Sequence, residues 1–386
     1  MDGPLKIAIF SDSALPILNG VSVSIDALVK ELRNQGHSVH IFTSSYRGHK
    51  DSDPNTHRFL ATEFPWTKDY PCAIYPFYPK VFQFRKIGFD IIHTHTPWTL
   101  GLVGLRWGQS HQIPVVATYH TLYDKYAHYI PLLPKRYVRY KIAKHTNYYY
   151  NHVHQVITPS DASKKWLLRH SVKKPITVIP TSIPNSSSHN REELRKMMGI
   201  HPDTQIMLYV GRIAKEKNMA LLFEAAQKAF YQNPNLHFWL VGDGPYRKHC
   251  AHLARTLGIG DRVKFIGYIP RHEVDQYYAI SDLFTFSSIT ETQGLVVSEA
   301  MSYGLPAIVV KGGGAGDAVQ DGVNGYLVNN DFKLFSNKIV NLTTNQELYN
   351  KLAQGASSSL QYTLPDMAQD VLNIYRDSIT NFRREK

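Results

Sequence analysis

Residues 206–230 read IMLYVGRIAKEKNMALLFEAAQKAF. Ile206 to Val210 are apolar without a break, which suits a parallel strand covered on both faces better than a strand with one wet face. Gly211 ends the run, a basic loop follows, and NMALLFEAAQKAF (218–230) has helical spacing. The same unit recurs in both directions. Upstream lie KIAIF (6–10), SVHIFTSS (38–45), FDIIHTH (89–95), PVVATYH (114–120), QVITPS (155–160) and ITVIPTSI (176–183). Downstream lie LHFWLVGDG (236–244), RVKFIGYI (262–269), DLFTFSS (282–288) and PAIVVK (306–311). Helical stretches separate them. VSVSIDALVKELRNQG, for instance, spaces Ile25, Leu28, Val29 and Leu32 on one face and closes on Gly36. The alternation predicts an α/β protein with doubly wound parallel sheets.

At 386 residues, with 43% hydrophobic, the chain is long enough for two domains. The Pro, Ser and Asn of PTSIPNSSSHN (180–190) mark the linker. The expected division is 1–184 and 185–364, two similar α/β domains facing across a cleft, with a C-terminal helix over about 365–386 packing back on the first. No run approaches the roughly 18 apolar residues of a membrane span. The N-terminus enters KIAIF without a signal-peptide pattern. The two cysteines, Cys72 and Cys250, lie in different halves, which fits a reducing cytosol rather than a disulfide framework.

Charge is uneven. Of the net +12, residues 1–184 carry +11, and residues 125–184 hold eleven Lys/Arg against Asp161 alone. Such a field attracts nucleic acid, anionic lipid or acidic ligands, although a solvated basic surface would carry the same count. The basic half has no RRM, KH, zinc-finger or helix-turn-helix signature, so nucleic acid is not the expected partner. No feature specifies an oligomer.

In open parallel sheets, ligands bind outside the carboxyl ends of the strands. In GRIAKEKN (211–218), Arg212 and Lys217 sit between a strand end and a helix start. A guanidinium fork, an ammonium and free helix amides there suit a diphosphate, though a plain basic loop would read the same way. No GxxxxGK[ST] or GxGxxG loop is present. ETQGLVVSEA (291–300) sets Glu291 and Glu299 eight positions apart. On one helix their Cα atoms would be about 12 Å apart along the axis and turned by roughly 80°. Carboxylates working on one glycosidic bond stand about 5–9.5 Å apart, facing it. The economical arrangement ends a loop at Glu291 and starts a helix near Gly294. Amides there would meet a phosphate, with a carboxylate on either side for sugar or ribose hydroxyls. A helix-terminal charge and a solvated helix residue remain the alternative.

GRIAKEKN, VGDGP, ETQGLVVSE with AMSYGLPAIVV, and DGVNGYLV occur in the order, and resemble the donor half, of GT-B retaining glycosyltransferases of family four. The resemblance covers nearly the whole chain. It implies two Rossmann-like domains and a nucleotide-sugar donor held mainly by the second. It places Arg212 and Lys217 on the donor diphosphate, Glu291 on the sugar hydroxyls and Glu299 on the ribose. Backbone amides at Gly294, Leu295 and Val296 would meet the phosphate, and Gly20 in LNGV would let the first domain's loop approach the diphosphate. His120 in TYHTLY matches the family's cleft histidine, which orients donor sugar or acceptor. The diphosphate motif disfavours a sugar-binding protein without catalysis. The resemblance also implies front-face substitution through an oxocarbenium-like sugar, with no metal or other cofactor. His93 and His95 in HTHTP share a strand face, but no Asp, Glu or Cys ligand stands beside them.

The stretch TYHTLYDKYAHYIPLLPKRYVRYKIAKH (118–145) most resembles the corresponding region of 1,2-diacylglycerol 3-glucosyltransferases, membrane-surface enzymes of this family. It implies a lipid acceptor, UDP-glucose as donor and an anionic membrane surface as partner, at the inner face of the cell membrane. Lys135, Arg136, Arg139, Lys141 and Lys144 are the expected membrane and acceptor residues. On a helix they spread around much of the circumference, which is not a clean amphipathic anchor. Phosphatidylinositol, a polysaccharide or a small molecule stands as the alternative acceptor.

Overall fold

The computed structural model describes residues 3–17, 19–62, 71–74, 81–124, 133–183, 189–359 and 361–384. Residues 184–188 of the expected linker and 125–132 of the basic stretch lie outside the described residues. The chain divides into two compact units, Met1–Ser182 with Tyr362–Lys386, and Ile183–Gln361.

The first unit contains β1 (Lys6–Ser11), α1 (Gly20–Asn34), β2 (Ser38–Ser44), β3 (Thr56–Phe59), β4 (Ala61–Thr62) and β5 (Cys72–Ala73). It continues through α2 (Val81–Ile87), β6 (Ile91–Thr94), α3 (Thr99–His111), β7 (Val115–Thr118), α4 (Lys135–Asn151), β8 (Gln155–Thr158), α5 (Asp161–Arg169) and β9 (Ile176–Val178). Seven strands form a parallel sheet in the order β3-β2-β1-β6-β7-β8-β9. The order reverses between β1 and β6, so the loops after these two strands border the crevice where such sheets bind ligands. The continuous apolar runs have the expected cause, since all four residues of β6 and of β7 are buried. Edge strand β3, sequence THRF, carries only a weak apolar signal, because only His57 and Phe59 turn inward.

The second unit contains α6 (Arg191–Met197), β10 (Gln205–Val210), α7 (Met219–Gln232), β11 (Leu236–Val241), α8 (Arg247–Thr256), β12 (Val263–Gly267) and α9 (Arg271–Ile280). Then come β13 (Leu283–Phe286), α10 (Leu295–Ser302), β14 (Ala307–Val310), β15 (Gly325–Val328), α11 (Phe332–Thr344) and α12 (Gln346–Ser358). Its six parallel strands run β12-β11-β10-β13-β14-β15. Here the reversal falls between β10 and β13, which brings the loops carrying GRIAKEKN and TETQG side by side.

The last helix, α13 (Leu364–Arg384), belongs to the first unit. Met367, Val371, Leu372, Tyr375 and Ile379 pack with Ile25, Leu28 and Leu32 of α1 and with Ile7 and Ile9 of β1. Their spacing of three, four and seven residues makes one apolar stripe, and the first sheet would lose part of the cover on one face without it.

Candidate functional site

In the second unit, β10 ends at Val210 and the chain turns through Gly211, whose φ of +147° favours glycine. The neighbouring loop VGDGP lies directly against it. A Cβ on Gly242 would stand 2.1 Å from the Gly211 carbonyl oxygen, and one on Gly244 would stand 2.3 Å from that of Ile213. These glycines therefore serve loop-on-loop packing. Lys215–Lys217 form a single 3-10 turn, followed by Asn218 at φ +55° and then α7. The Ser287 hydroxyl donates to the Lys217 carbonyl (2.7 Å), tying this loop to the one after β13.

The side chains join as well. The Lys217 ammonium donates to Oε1 of Glu291, and both side chains are largely buried, 12% and 22% exposed. Two residues that the family resemblance assigns to separate groups of a donor thus form one ion pair. Arg212, two residues past β10, stands exposed, while its carbonyl accepts from the Tyr209 hydroxyl (3.0 Å).

A second glycine-rich loop backs Glu291. The Gly314 amide donates to the Glu291 carbonyl (2.9 Å), and a Cβ on Gly314 would fall 1.8 Å from the Thr292 carbonyl oxygen. Gly294 has φ +73°, with its hydrogen against Ala315, and α10 starts at Leu295. The helix therefore begins where the glycine between the two carboxylates places it. Its first-turn amides, Leu295 and Val296 among them, carry the positive end of the helix dipole.

Glu299 lies a full turn further on and is buried. Its Oε2 accepts from the Tyr278 hydroxyl (2.8 Å), and its Oε1 pairs with the Arg271 guanidinium (3.0 Å), which also holds Asp275 (2.8 Å). Burial raises the Glu299 pKa, while the Arg271 charge and the Tyr278 hydrogen bond pull the other way. Burial is the largest single influence on Arg271 and opposes its charge, but Glu299, Asp275 and Tyr278 together outweigh it and the net shift is upward. Arg271 and Tyr278 are partners that sequence reasoning missed. They stand seven residues apart on α9, a spacing that says they share a face but not what that face meets. The two glutamates have different cations, Lys217 for Glu291 and Arg271 for Glu299, which is not how a concerted acid and base are built.

In the first unit, the loops at the β1/β6 reversal are held by polar contacts. The half-buried Asp12 carboxylate accepts from the Thr96 hydroxyl (2.6 Å) and from the Leu100 amide (3.0 Å) in the first turn of α3. Gly20 is the first residue of α1, which Asn19 caps through the Val21 and Ser22 amides. A Cβ on Gly20 would meet nothing within 4 Å, so the fold itself does not require glycine there.

His120 follows β7, and its Nε2 lies 2.8 Å from Nδ1 of His95, the residue after β6. His93 is bonded at both ring nitrogens, Nδ1 to the Tyr375 hydroxyl of α13 (2.6 Å) and Nε2 to the Thr118 hydroxyl (2.7 Å). It offers no lone pair to a metal in that arrangement. Among the described residues, no three His, Cys, Asp or Glu side chains gather as a metal-binding group. Burial lowers His93 to about 3 and His120 to about 4, and carries His95 well below the ordinary histidine value, so all three rings are neutral near pH 7. Removing the Tyr375 hydroxyl strands a buried imidazole nitrogen. Tyr375→Phe is expected to lower unfolding free energy by about 1–3 kcal/mol, read as a lower urea midpoint. An unchanged midpoint would show that the bond contributes nothing.

Lys135, Arg136, Arg139, Lys141 and Lys144 all lie on α4, and all five are exposed. The helix buries only Val138, Thr146, Tyr149 and Tyr150, mostly along its second half, so charges spread around the first turns stay in solvent. Tyr137 and Tyr140, between them, and Tyr148, one turn beyond, are 48%, 61% and 52% exposed. Among the described residues, no helix is long and apolar enough to cross a membrane.

Residues 190–359 match the family model described as "Glycosyl transferases group 1", and residues 18–186 match "Glycosyltransferase Family 4". The chain is 31% identical over 390 residues to an alpha-monoglucosyldiacylglycerol synthase of Acholeplasma laidlawii, covering 97% of this chain and 98% of that one. It is 33% identical over 320 residues to the protein of the same name in Streptococcus pneumoniae, covering 79% and 70%. Among solved structures, sucrose-phosphate synthase of Thermosynechococcus elongatus aligns with a TM-score of 0.80 at 22% identity, covering 98% of this chain and all of that one. HepE of Anabaena with UDP and glucose aligns at 0.76 and 20%, covering 97% and all of that chain.

Proposed function

The chain belongs to glycosyltransferase family 4, a hexosyltransferase family with the GT-B fold, and from that premise we propose that it transfers glucose from UDP-glucose to 1,2-diacylglycerol with retention of anomeric configuration. The observation that carries the reading is the near full-length match to a synthase of monoglucosyldiacylglycerol. The UDP and glucose named in the HepE structure support the donor. The second unit is the donor domain in this reading, and the first serves the acceptor.

Each part of the second unit then has a task. Arg212, Lys217 and the amides at Gly294, Leu295 and Val296 receive the diphosphate and stabilise the charge that grows on it as the bond to the sugar breaks. Glu291 accepts from the sugar hydroxyls while holding Lys217 in place. Glu299 accepts from the ribose hydroxyls with lone pairs that Tyr278 and Arg271 leave over. His120 contacts the transferred sugar or the acceptor. The anomeric carbon releases its electron pair to the diphosphate oxygen. The acceptor hydroxyl bonds on the same face, and its proton passes to the leaving phosphate. No metal or other cofactor enters.

The exposed face of α4 supports the lipid acceptor. Tyrosine rings suit the headgroup zone, and each Lys or Arg near an anionic leaflet is worth about 1 kcal/mol. The protein is then peripheral, at the inner face of the cell membrane. Incubation with UDP-glucose and diacylglycerol in anionic vesicles is expected to yield monoglucosyldiacylglycerol. Transfer only to phosphatidylinositol, a polysaccharide or a soluble sugar would replace the acceptor. Exchanging Lys135, Arg136, Arg139, Lys141 and Lys144 for glutamine is expected to lower co-sedimentation with anionic vesicles at least about tenfold. Equal binding of wild type to neutral and anionic vesicles at low salt would refute the membrane role of α4.

A further inference from the structure

Arg271 opens α9, directly after Pro270. Nothing in the helix itself asks for a cation there. The first turn carries the positive end of the helix dipole, which favours anions. An Arg four residues before an Asp is also the weaker order for such a pair on a helix. The side chain instead reaches off the helix. Its Nη1 donates to Asp275 (2.8 Å), and its Nη2 stands 3.0 Å from Oε1 of Glu299 on α10. Asp275 braces the guanidinium, and the guanidinium meets Glu299.

Glu299 depends on that contact for its charge. Its side chain is 10% exposed, against 39% for Arg271. A carboxylate taken out of water stays ionised only where a cation and hydrogen bonds replace the solvent. Arg271 is its one cation among the described residues, and the hydroxyl that Tyr278 donates (2.8 Å) is neutral. Burial favours the protonated acid most strongly, Arg271 and then Tyr278 oppose it, and Asp275 works with burial. The other elements against α10 do not change this balance. β13 and β14 carry no ionisable side chain, the turn Gly314–Ala318 carries Asp317, and α12 carries Glu347, Tyr349 and Lys351. None of these bonds the Glu299 carboxylate, and Tyr303, after α10, stacks on the Tyr278 ring instead (5.7 Å).

We propose that Arg271, braced by Asp275, is a positioning residue of the donor site, which keeps the Glu299 carboxylate charged and turned so that it accepts from the ribose hydroxyls of a bound nucleotide near neutral pH. The inference rests on the reading of Glu299 as the ribose contact. It adds how a buried carboxylate remains an acceptor there. Without the guanidinium, burial and Asp275 both favour the acid and Tyr278 alone opposes them. Glu299 then takes up a proton at a higher pH than in wild type, and the protonated oxygen becomes a donor. Nucleotide affinity is therefore lost below that higher pKa and regained above it.

The test is calorimetric titration of the full-length protein with UDP from about pH 7 to about pH 9. The quantity read is the Kd of each variant divided by that of wild type at the same pH, so that titration of the nucleotide cancels. Arg271→Gln is expected to give a ratio of about 10 to 100 at the low end. The ratio should fall with rising pH, by up to about tenfold per pH unit. Arg271→Lys keeps a cation and is expected to give a smaller ratio without that slope. Glu299→Gln, alone or with Arg271→Gln, has no carboxyl to titrate, and its ratio is expected to stay constant because Glu299 is charged throughout in wild type.

An Arg271→Gln ratio that is constant or rises with pH overturns the inference and leaves Arg271 a purely structural residue. A Glu299→Gln ratio that climbs with pH also overturns it, since wild-type Glu299 would then be titrating despite Arg271. That second comparison decides the matter if Arg271→Gln does not fold. Wild type that gives these ratios but transfers no glucose to diacylglycerol would refute the proposed function and leave this inference standing. Active enzyme with a constant Arg271→Gln ratio would do the reverse. If wild type binds ADP or GDP in place of UDP, the same series on that nucleotide decides the inference, because the ribose is common to all three. A wild type that binds no nucleoside diphosphate refutes both.

Discussion

Lys217→Met is expected to lower kcat for sugar transfer by about 10²–10³-fold, the usual effect of deleting one preorganised group that meets charge developing in the transition state. The structure holds the side chain in place. Its ammonium is only 12% exposed, its own carbonyl is anchored by Ser287, and Glu291 grips its Nζ. A cation fixed this way needs no reorganisation when the diphosphate begins to leave. The variant also leaves Glu291 as a partly buried carboxylate without its cation, which would repel an incoming diphosphate, so KM for the donor should rise too. Glu291→Gln separates the two effects. It removes the carboxylate but leaves the ammonium, so free UDP should bind at least as well as to wild type, while kcat falls because the sugar hydroxyls lose a charged acceptor. The double variant decides between two jobs for Glu291. If it only positions Lys217, the double variant is no slower than Lys217→Met. If it holds the sugar itself, a further loss appears. A Lys217→Met enzyme within about threefold of wild type would remove the ammonium from the mechanism.

Glu299→Gln is expected to weaken binding of free UDP by about 10- to 100-fold, the range for losing hydrogen bonds to a charged group, with a smaller change in kcat. The amide keeps the shape of the carboxylate but has one oxygen where Glu299 has two. Tyr278 and Arg271 both claim an acceptor, so one of them, or the ribose, goes without. Calorimetric titration with UDP measures the loss without turnover. Equal losses of UDP affinity in Glu291→Gln and Glu299→Gln would sink the division of labour between the two residues.

Much of the fold is legible in the chain because parallel strands buried on both faces leave no room for polar alternation. The runs from KIAIF to PAIVVK each became a strand, and the loops after them carry the residues of the proposed site. What stayed illegible was signalled by single residues rather than by pattern. THRF offered too little apolar surface to mark β3. Arg271 and Tyr278 are an ordinary arginine and tyrosine on a helix until α9 lies beside α10. HTHTP shows two histidines on one strand face, but not that Tyr375, more than 280 residues later, would bond one of them while His120 met the other. The spread of charge on α4 was correctly legible, yet how little of that helix is buried depended on what packs against it.

ETQGLVVSEA divides in the same way. Its spacing and central glycine were enough to argue against a concerted acid–base pair and to place a helix start, because helix rise and the left-handed φ of glycine are local properties. Which cation each glutamate meets was decided only by tertiary structure. The reversal of strand order between β10 and β13 sets Lys217 against Glu291, and the packing of α9 on α10 sets Arg271 and Tyr278 against Glu299. Those contacts span 74, 28 and 21 residues, and no local periodicity encodes a pairing that exists only once two separate strand ends share one edge of a sheet.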